Sequence, residues 1–97
     1  MITQYNTCCL ICGKPATDKH HLIFGTANRK LADQDGLIIP LCVEHHTGTH
    51  SVHYQMELTI LSQIIGQLAY EKSKCAEGMN EDDARQSFRI RYGKSYL

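Results

Sequence analysis

The sequence lacks several features that would place it in a common functional class. Ten basic and ten acidic side chains among 97 residues give a formal net charge of zero, which argues against a protein that holds nucleic acid by charge alone. No basic segment followed by an apolar run opens the chain, and no stretch has the apolar length of a membrane span. These absences predict a cytoplasmic protein that makes no membrane contact.

Internal repeats and low-complexity segments are also absent, so residues 1–97 are expected to form a single domain. A chain of this length buries a modest core and often needs a metal ion or a disulfide to stabilise it. The five cysteines are expected to be reduced in the cytoplasm, where C-x2-C spacing favours metal binding.

Four residues have the spacing of a structural zinc site. Cys9 and Cys12 form a C-x2-C pair followed by glycine, a turn that directs both thiolates at one ion. Cys42 and His45 add a C-x2-H half-site, and the four residues together make a tetrahedral ligand set. Cys8 offers an alternative register with Cys12, although a free or packed thiol is the simpler interpretation of Cys8.

The segments between and after the zinc half-sites predict a hairpin and a helix. Residues 19–24 and 36–41 are apolar or β-branched runs typical of strands. A loop at 25–30 and a helical turn at 31–36 would connect them. A helix is expected over residues 43–53, although Gly48 weakens it locally.

Two further helices are predicted beyond the hairpin. Leucine and isoleucine recur at three- and four-residue steps through residues 54–74, which predicts a long amphipathic helix. Its apolar stripe would pack on the core or face a partner, and it is a candidate homodimer surface. Asn80 is the expected N-cap of a short helix that runs to about Tyr92 and ends at Gly93.

All six histidines lie between residues 20 and 53. They comprise the pairs His20-His21 and His45-His46, followed by His50 and His53. With the cysteines, this stretch holds more metal-binding side chains than a small core requires. A second metal site, built from imidazoles, is therefore expected beside the zinc site.

The predicted order of elements resembles that of the HNH endonucleases. It consists of a strand with a histidine pair, a second strand, a cysteine half-site and a histidine-bearing helix. The HNH endonucleases belong to the ββα-metal, or His-Me finger, superfamily. The resemblance covers residues 9–53, and it is closest to the small zinc-containing HNH proteins of phages and prophages. Residues 88–97 also resemble the C-terminal end of those proteins. The resemblance implies an α+β fold with a zinc-stapled ββα-metal core at about 8–53 and a helical extension at about 54–97. It also implies a metal-dependent DNA endonuclease or nickase.

The resemblance assigns a role to each histidine of the second site. His20 matches the metal ligand of the first strand, and His21 matches the general base that takes a proton from the attacking water. His46 matches the ligand of the helix. Either His53 or His50 supplies the last ligand, with His53 slightly favoured by its spacing. The bound ion would be Mg²⁺, Mn²⁺, Ni²⁺ or Zn²⁺.

The asparagine that gives the HNH family its middle letter has no clear match. Asp35 is the nearest candidate, and it would orient His21 by accepting its ring N–H. Asn28 is an alternative orienting residue. Arg29 and Lys30 are expected to contact the DNA backbone.

A second class of function also fits the sequence. The chain would then be a zinc-stabilised DNA- or protein-binding module with weak or no catalysis. The neutral charge and the missing asparagine favour this alternative, whereas the density of histidines disfavours it. A redox function of the C-x2-C pair is disfavoured because no thioredoxin-like βαβ pattern surrounds it.

Overall fold

Two antiparallel strands and four helices form an α+β fold, in a computed structural model that describes all of residues 1–97. No helix is both long enough and apolar enough to cross a lipid bilayer. The strands are β1 (Asp18–His21) and β2 (Ile38–Leu41). The helices are α1 (Thr26–Asp35), α2 (Val43–Thr47), α3 (Met56–Ala76) and α4 (Glu81–Tyr92).

The hairpin of β1 and β2 carries the histidine pair. His20 lies opposite Ile39, and His21 lies opposite Ile38. All four residues of β2 are buried, whereas β1 buries only His20. The first predicted strand is therefore present over half of its length, and residues 22–24 turn away from the sheet after a last ladder bond from Leu22 N–H to the Leu37 carbonyl, at 2.9 Å.

The connection between the strands is a helix, so the predicted loop at 25–30 is wrong. Gly25 turns the chain with φ of 104°, and α1 begins at the next residue. Arg29, Lys30 and Leu31 are good helix formers, but only Ala32 in this helix is fully buried. Because so few apolar residues mark its inner face, the segment shows little helical periodicity in the sequence.

The helix predicted over residues 43–53 ends much earlier. The backbone N–H of Gly48 bonds to the carbonyls of Val43 and Glu44, at 3.1 Å each, and closes α2 after five residues. Residues 48–55 then run as turns in which Val52 is buried. His50 and His53 consequently lie outside any helix.

The two C-terminal helices follow the sequence prediction closely. Asn80 caps α4 by accepting the Asp83 backbone N–H at 2.8 Å, and Gly93 ends it in the left-handed conformation. Aromatic side chains of α3 and α4, Tyr70 and Phe88, meet edge to face with ring centroids 5.4 Å apart. This contact packs α3 against α4.

The inner face of α3 consists of small or polar residues and one tyrosine. Its buried residues include Ser62, Gly66 and Tyr70, whereas Leu61 and Leu68 are half exposed. Gly66 allows the helix to approach the segment after β1, since a β-carbon at this position would lie 2.9 Å from the β-carbon of Leu22. Leu61, Ile65 and Leu68 of the predicted apolar stripe therefore face away from the core, whereas Leu58 packs against it.

We expect Gly66→Ala to destabilise the protein. Alanine is the better helix former by about 1 kcal/mol, but overpacking against Leu22 and Ile23 costs about 1–3 kcal/mol and should dominate. Urea unfolding would measure the change, with Ser73→Ala on the exposed face of the same helix as the control. A Gly66→Ala variant as stable as the parent would contradict the close approach.

Candidate metal centres

Four side chains from three segments converge on one point beside the hairpin. The sulfur atoms of Cys9, Cys12 and Cys42 and the Nδ1 atom of His45 all lie within 4.8 Å of one another. The Cys12 and Cys42 sulfurs are 3.8 Å apart, and the Cys42 sulfur is 3.3 Å from His45 Nδ1. Tetrahedral zinc with Zn–S bonds of about 2.3 Å needs ligand separations of about 3.5–3.8 Å. This cluster could hold a metal ion such as zinc.

The environment of Cys9 favours the thiolate that a metal requires. Burial opposes its ionisation, but backbone N–H groups of Cys42, Cys12 and Ile11 outweigh burial and lower the pKa of Cys9 to about 6. The Lys14 backbone acts to lower the pKa of Cys12, yet desolvation and the neighbouring sulfurs leave it raised. One thiolate thus forms readily, and a cation would help to ionise the second.

A second cluster is formed by imidazoles alone. Ring nitrogens of His20, His46 and His53 lie within 4.8 Å of one another. The Nε2 atoms of His46 and His53 are 3.3 Å apart, and the ring centroid of His20 is 5.3 Å from that of His46. The sequence did not decide whether His50 or His53 is the third histidine of this cluster, and in the structure it is His53. His50 is largely exposed and lies 3.5 Å from Glu44 instead.

Hydrogen bonds determine which nitrogen each ring offers. His46 Nδ1 lies 2.8 Å from Asp18 Oδ2, and a carboxylate can only accept, so Nδ1–H donates and the Nε2 lone pair is free. This bond, together with one from Thr17, lowers the pKa of Asp18. Asp18 therefore holds the His46 ring in the tautomer that a metal would need.

His20 is fixed by a serine of α3. The Ser62 hydroxyl donates to the Leu22 carbonyl at 3.0 Å, so its oxygen accepts the Nε2–H of His20 at 2.8 Å. The Nδ1 atom of His20 is then the one with a free lone pair. Burial, reinforced by the charges of His46, His53 and His21, lowers the pKa of His20 to about 3. The ring is thus neutral, as a ligand must be.

His21 belongs to a separate pair. Its Nε2 atom lies 3.3 Å from Asp33 Oδ1, and donation to that carboxylate leaves Nδ1 as a proton acceptor. The prediction that Asp35 orients His21 is wrong, because the carboxylate of Asp35 is held by Arg91 at 2.6 Å and by the hydroxyl of Tyr92 at 2.6 Å. Burial and this carboxylate raise the pKa of Tyr92.

The alternative orienting residue is also engaged elsewhere. Asn28 donates through its Nδ2 atom to the Phe24 carbonyl at 3.0 Å, so it braces the turn into α1. Sequence patterns do not reveal Ser62, which lies 42 residues from the histidine that it contacts. The sequence gives a weak indication that Asp18 belongs to the site, because Asp18 lies two residues before His20 and on the same face of the strand.

One cleft of about 460 Å³ joins the imidazole cluster to His21. Lys19 and Arg29 line its sides, and the first residue of α1, Thr26, lies at its edge. Lys30 lines a neighbouring depression that also contains His21 and Arg29. The cleft therefore combines candidate metal ligands, a candidate base and positive charge.

The family DUF968, described as a protein of unknown function, matches residues 4–71. The chain belongs to this family. The matched region contains both clusters and most of α3, but not α4. No curated protein and no solved structure matches the chain.

We expect Cys42→Ser to lower both zinc content and stability, because metal bound to such a site contributes directly to folding. Metal analysis and thermal unfolding would measure both effects. Cys75→Ser, which changes a cysteine outside the cluster, is the matched control. Unchanged zinc content and melting in Cys42→Ser would remove the structural site.

We expect Asp18→Ala to weaken binding of a second ion by about ten- to a hundredfold, the usual cost of losing a carboxylate behind a histidine ligand. Titration of the zinc-loaded protein with Ni²⁺ or Co²⁺ would measure this. Asp33→Ala, whose carboxylate contacts His21 rather than a cluster member, should bind the ion normally. Equal affinities in the two variants would exclude the role of Asp18.

Proposed function

We propose that the protein is a metal-dependent HNH-type DNA endonuclease or nickase that hydrolyses phosphodiester bonds. The observation that carries the proposal is the joint opening of two groups onto one cleft. The three imidazoles of the second cluster and the His21–Asp33 pair both line it or adjoin it. Such a combination offers a bound cation and a proton acceptor side by side.

The imidazole cluster would hold a divalent ion such as Mg²⁺, Mn²⁺, Ni²⁺ or Zn²⁺. His20 offers Nδ1 and His46 offers Nε2, as their other nitrogens are occupied. Burial and His46 lower the pKa of His53, which favours its neutral form as well. An ion held by three side chains would keep positions open for a phosphate oxygen and supply Lewis-acid stabilisation of the leaving oxygen.

His21 is the proposed general base. Its ring nitrogen opposite Asp33 is free to take the proton of a water molecule that attacks phosphorus. Asp33 would hold the ring in position and stabilise the imidazolium that forms. Asp33 therefore has the role that the sequence assigned to Asp35.

Three groups at the cleft could position the phosphate backbone. Lys19 and Arg29 line the cleft, and Lys30 adjoins it. None of them forms an ion pair within the chain. The first turn of α1 also has its backbone N–H groups at this edge, and no side chain caps them. Helix N-termini of this kind favour phosphate groups.

The competing function is a zinc-stabilised binding module without catalysis. The absence of an asparagine beside His21 favours it, since His21 contacts Asp33 instead. The three imidazoles disfavour it, because a binding module has no need for three ring nitrogens gathered on one point. Dependence of strand cleavage on a divalent ion would separate the two functions.

We expect His21→Ala to slow nicking of supercoiled plasmid by about a hundred- to ten-thousandfold, the usual contribution of a general base. The assay would be run with and without divalent metal. His50→Ala, which removes an exposed histidine outside the cleft, is the matched control and should cut normally.

A wild-type protein that does not nick DNA with any of the four ions would refute the nuclease proposal. Normal cleavage by His21→Ala would instead refute only the assignment of the base. Unchanged thermal unfolding of His21→Ala would show that lost activity does not reflect lost structure.

A further inference from the structure

The outer face of α3 carries an apolar stripe without a partner in the chain. Leu61 and Leu68 are each 51% exposed and Ile65 is 38% exposed. No charged residue occurs from 58 to 70. We call Leu61, Ile64, Ile65 and Leu68 the α3 stripe. Exposed apolar runs of this kind mark interaction surfaces more often than single exposed leucines do.

The stripe lies on the side of α3 that faces away from the rest of the fold. At 3.6 residues per turn, the stripe falls roughly opposite the buried residues Ser62, Gly66 and Tyr70. Those residues contact the hairpin and α4. The chain therefore leaves Leu61, Ile65 and Leu68 largely uncovered, and only Ile64 of the stripe is half-buried.

Two opposite charges bracket the stripe at equal distances. Glu57 precedes Leu61 by four residues, and Lys72 follows Leu68 by four residues. Both are exposed on the same helix face as the stripe, and neither forms an ion pair within the chain. The pattern is thus symmetric in position about the midpoint between Ile64 and Ile65, but opposite in charge at its ends.

We propose that two copies of this chain pack their α3 helices antiparallel through the stripe. A two-fold axis near Ile64 and Ile65 would bring Leu61 of one copy onto Leu68 of the other. The same axis would place each Glu57 beside the Lys72 of the second copy. A parallel pair would instead place like charges together, Glu57 on Glu57 and Lys72 on Lys72, which is unfavourable.

The size of the surface sets the strength of the dimer. A helix of 21 residues is about 31 Å long, so a contact of one helix on one helix buries less than the roughly 800 Å² per partner of a stable interface. We therefore expect a weak dimer that dissociates on dilution rather than a permanent one. Both histidine clefts stay open in it, because Ser62, which contacts His20, lies on the opposite face of α3.

Sedimentation equilibrium of the zinc-loaded protein tests the proposal. The wild-type chain should approach twice its monomer mass of 11.0 kDa as concentration rises. Leu61→Glu and Leu68→Lys should each weaken the dimer on the order of a hundredfold, because each places two charges in an apolar contact. Ile90→Glu, on a 75% exposed residue of α4, is the control and should dimerise normally.

An equimolar mixture of Leu61→Glu and Leu68→Lys should dimerise again. The antiparallel register places the new glutamate beside the new lysine and leaves a leucine pair at the other end of the contact. A wild-type chain that stays monomeric at all concentrations would overturn the proposal. Failure of the mixture to dimerise would equally overturn the antiparallel register.

Discussion

The arrangement of both candidate metal centres depends on two adjacent histidines of the short helix α2. His45 faces the cysteine cluster, and His46 faces the imidazole cluster. The sulfur of Cys42, at the start of the same helix, lies 3.8 Å from that of Cys12 in the cysteine turn, and Asp18 of β1 accepts a hydrogen bond from His46. An ion bound at the first centre would therefore fix the position of a ligand in the second. Such coupling would stabilise a five-residue helix that is too short to be stable alone.

Two small residues on the inner face of α3 position a histidine of the imidazole cluster, which leucines at the same positions could not do. Ser62 aligns His20 by accepting its N–H, and Gly66 lets the helix approach closely enough for that contact. A leucine at either position would bury more apolar surface but would remove the bond or block the approach. The helix thus uses its small and polar residues on the core side. Leu61, Ile65 and Leu68 remain largely exposed on the outer face, where they are available to a second copy.

The parts of the fold that the sequence predicts well depend on neighbours in the chain. The cysteine spacing, the Asn80 cap and the length of α3 follow from residues a few positions apart. The identity of the carboxylate that contacts His21 cannot be predicted in this way, because the choice between Asp33 and Asp35 depends on contacts with α4. Arg91, 56 residues along the chain from Asp35, engages that carboxylate and leaves Asp33 to face His21. Local pattern contains no information about such a contact.

The neutral net charge does not weigh against a nucleic-acid substrate once the acids are located. Asp18, Asp35 and Glu71 each face a histidine or arginine of the chain, and Glu81–Asp83 lie in the first turn of α4, where they stabilise that helix. The cations Lys19 and Arg29, in contrast, line the cleft with no ion-pair partner. Coulomb interactions fall off within about 10 Å at moderate salt. A phosphate entering the cleft would therefore experience the nearby charges, which are the cations Lys19, Arg29 and Lys30 and the carboxylate of Asp33, rather than the total of zero.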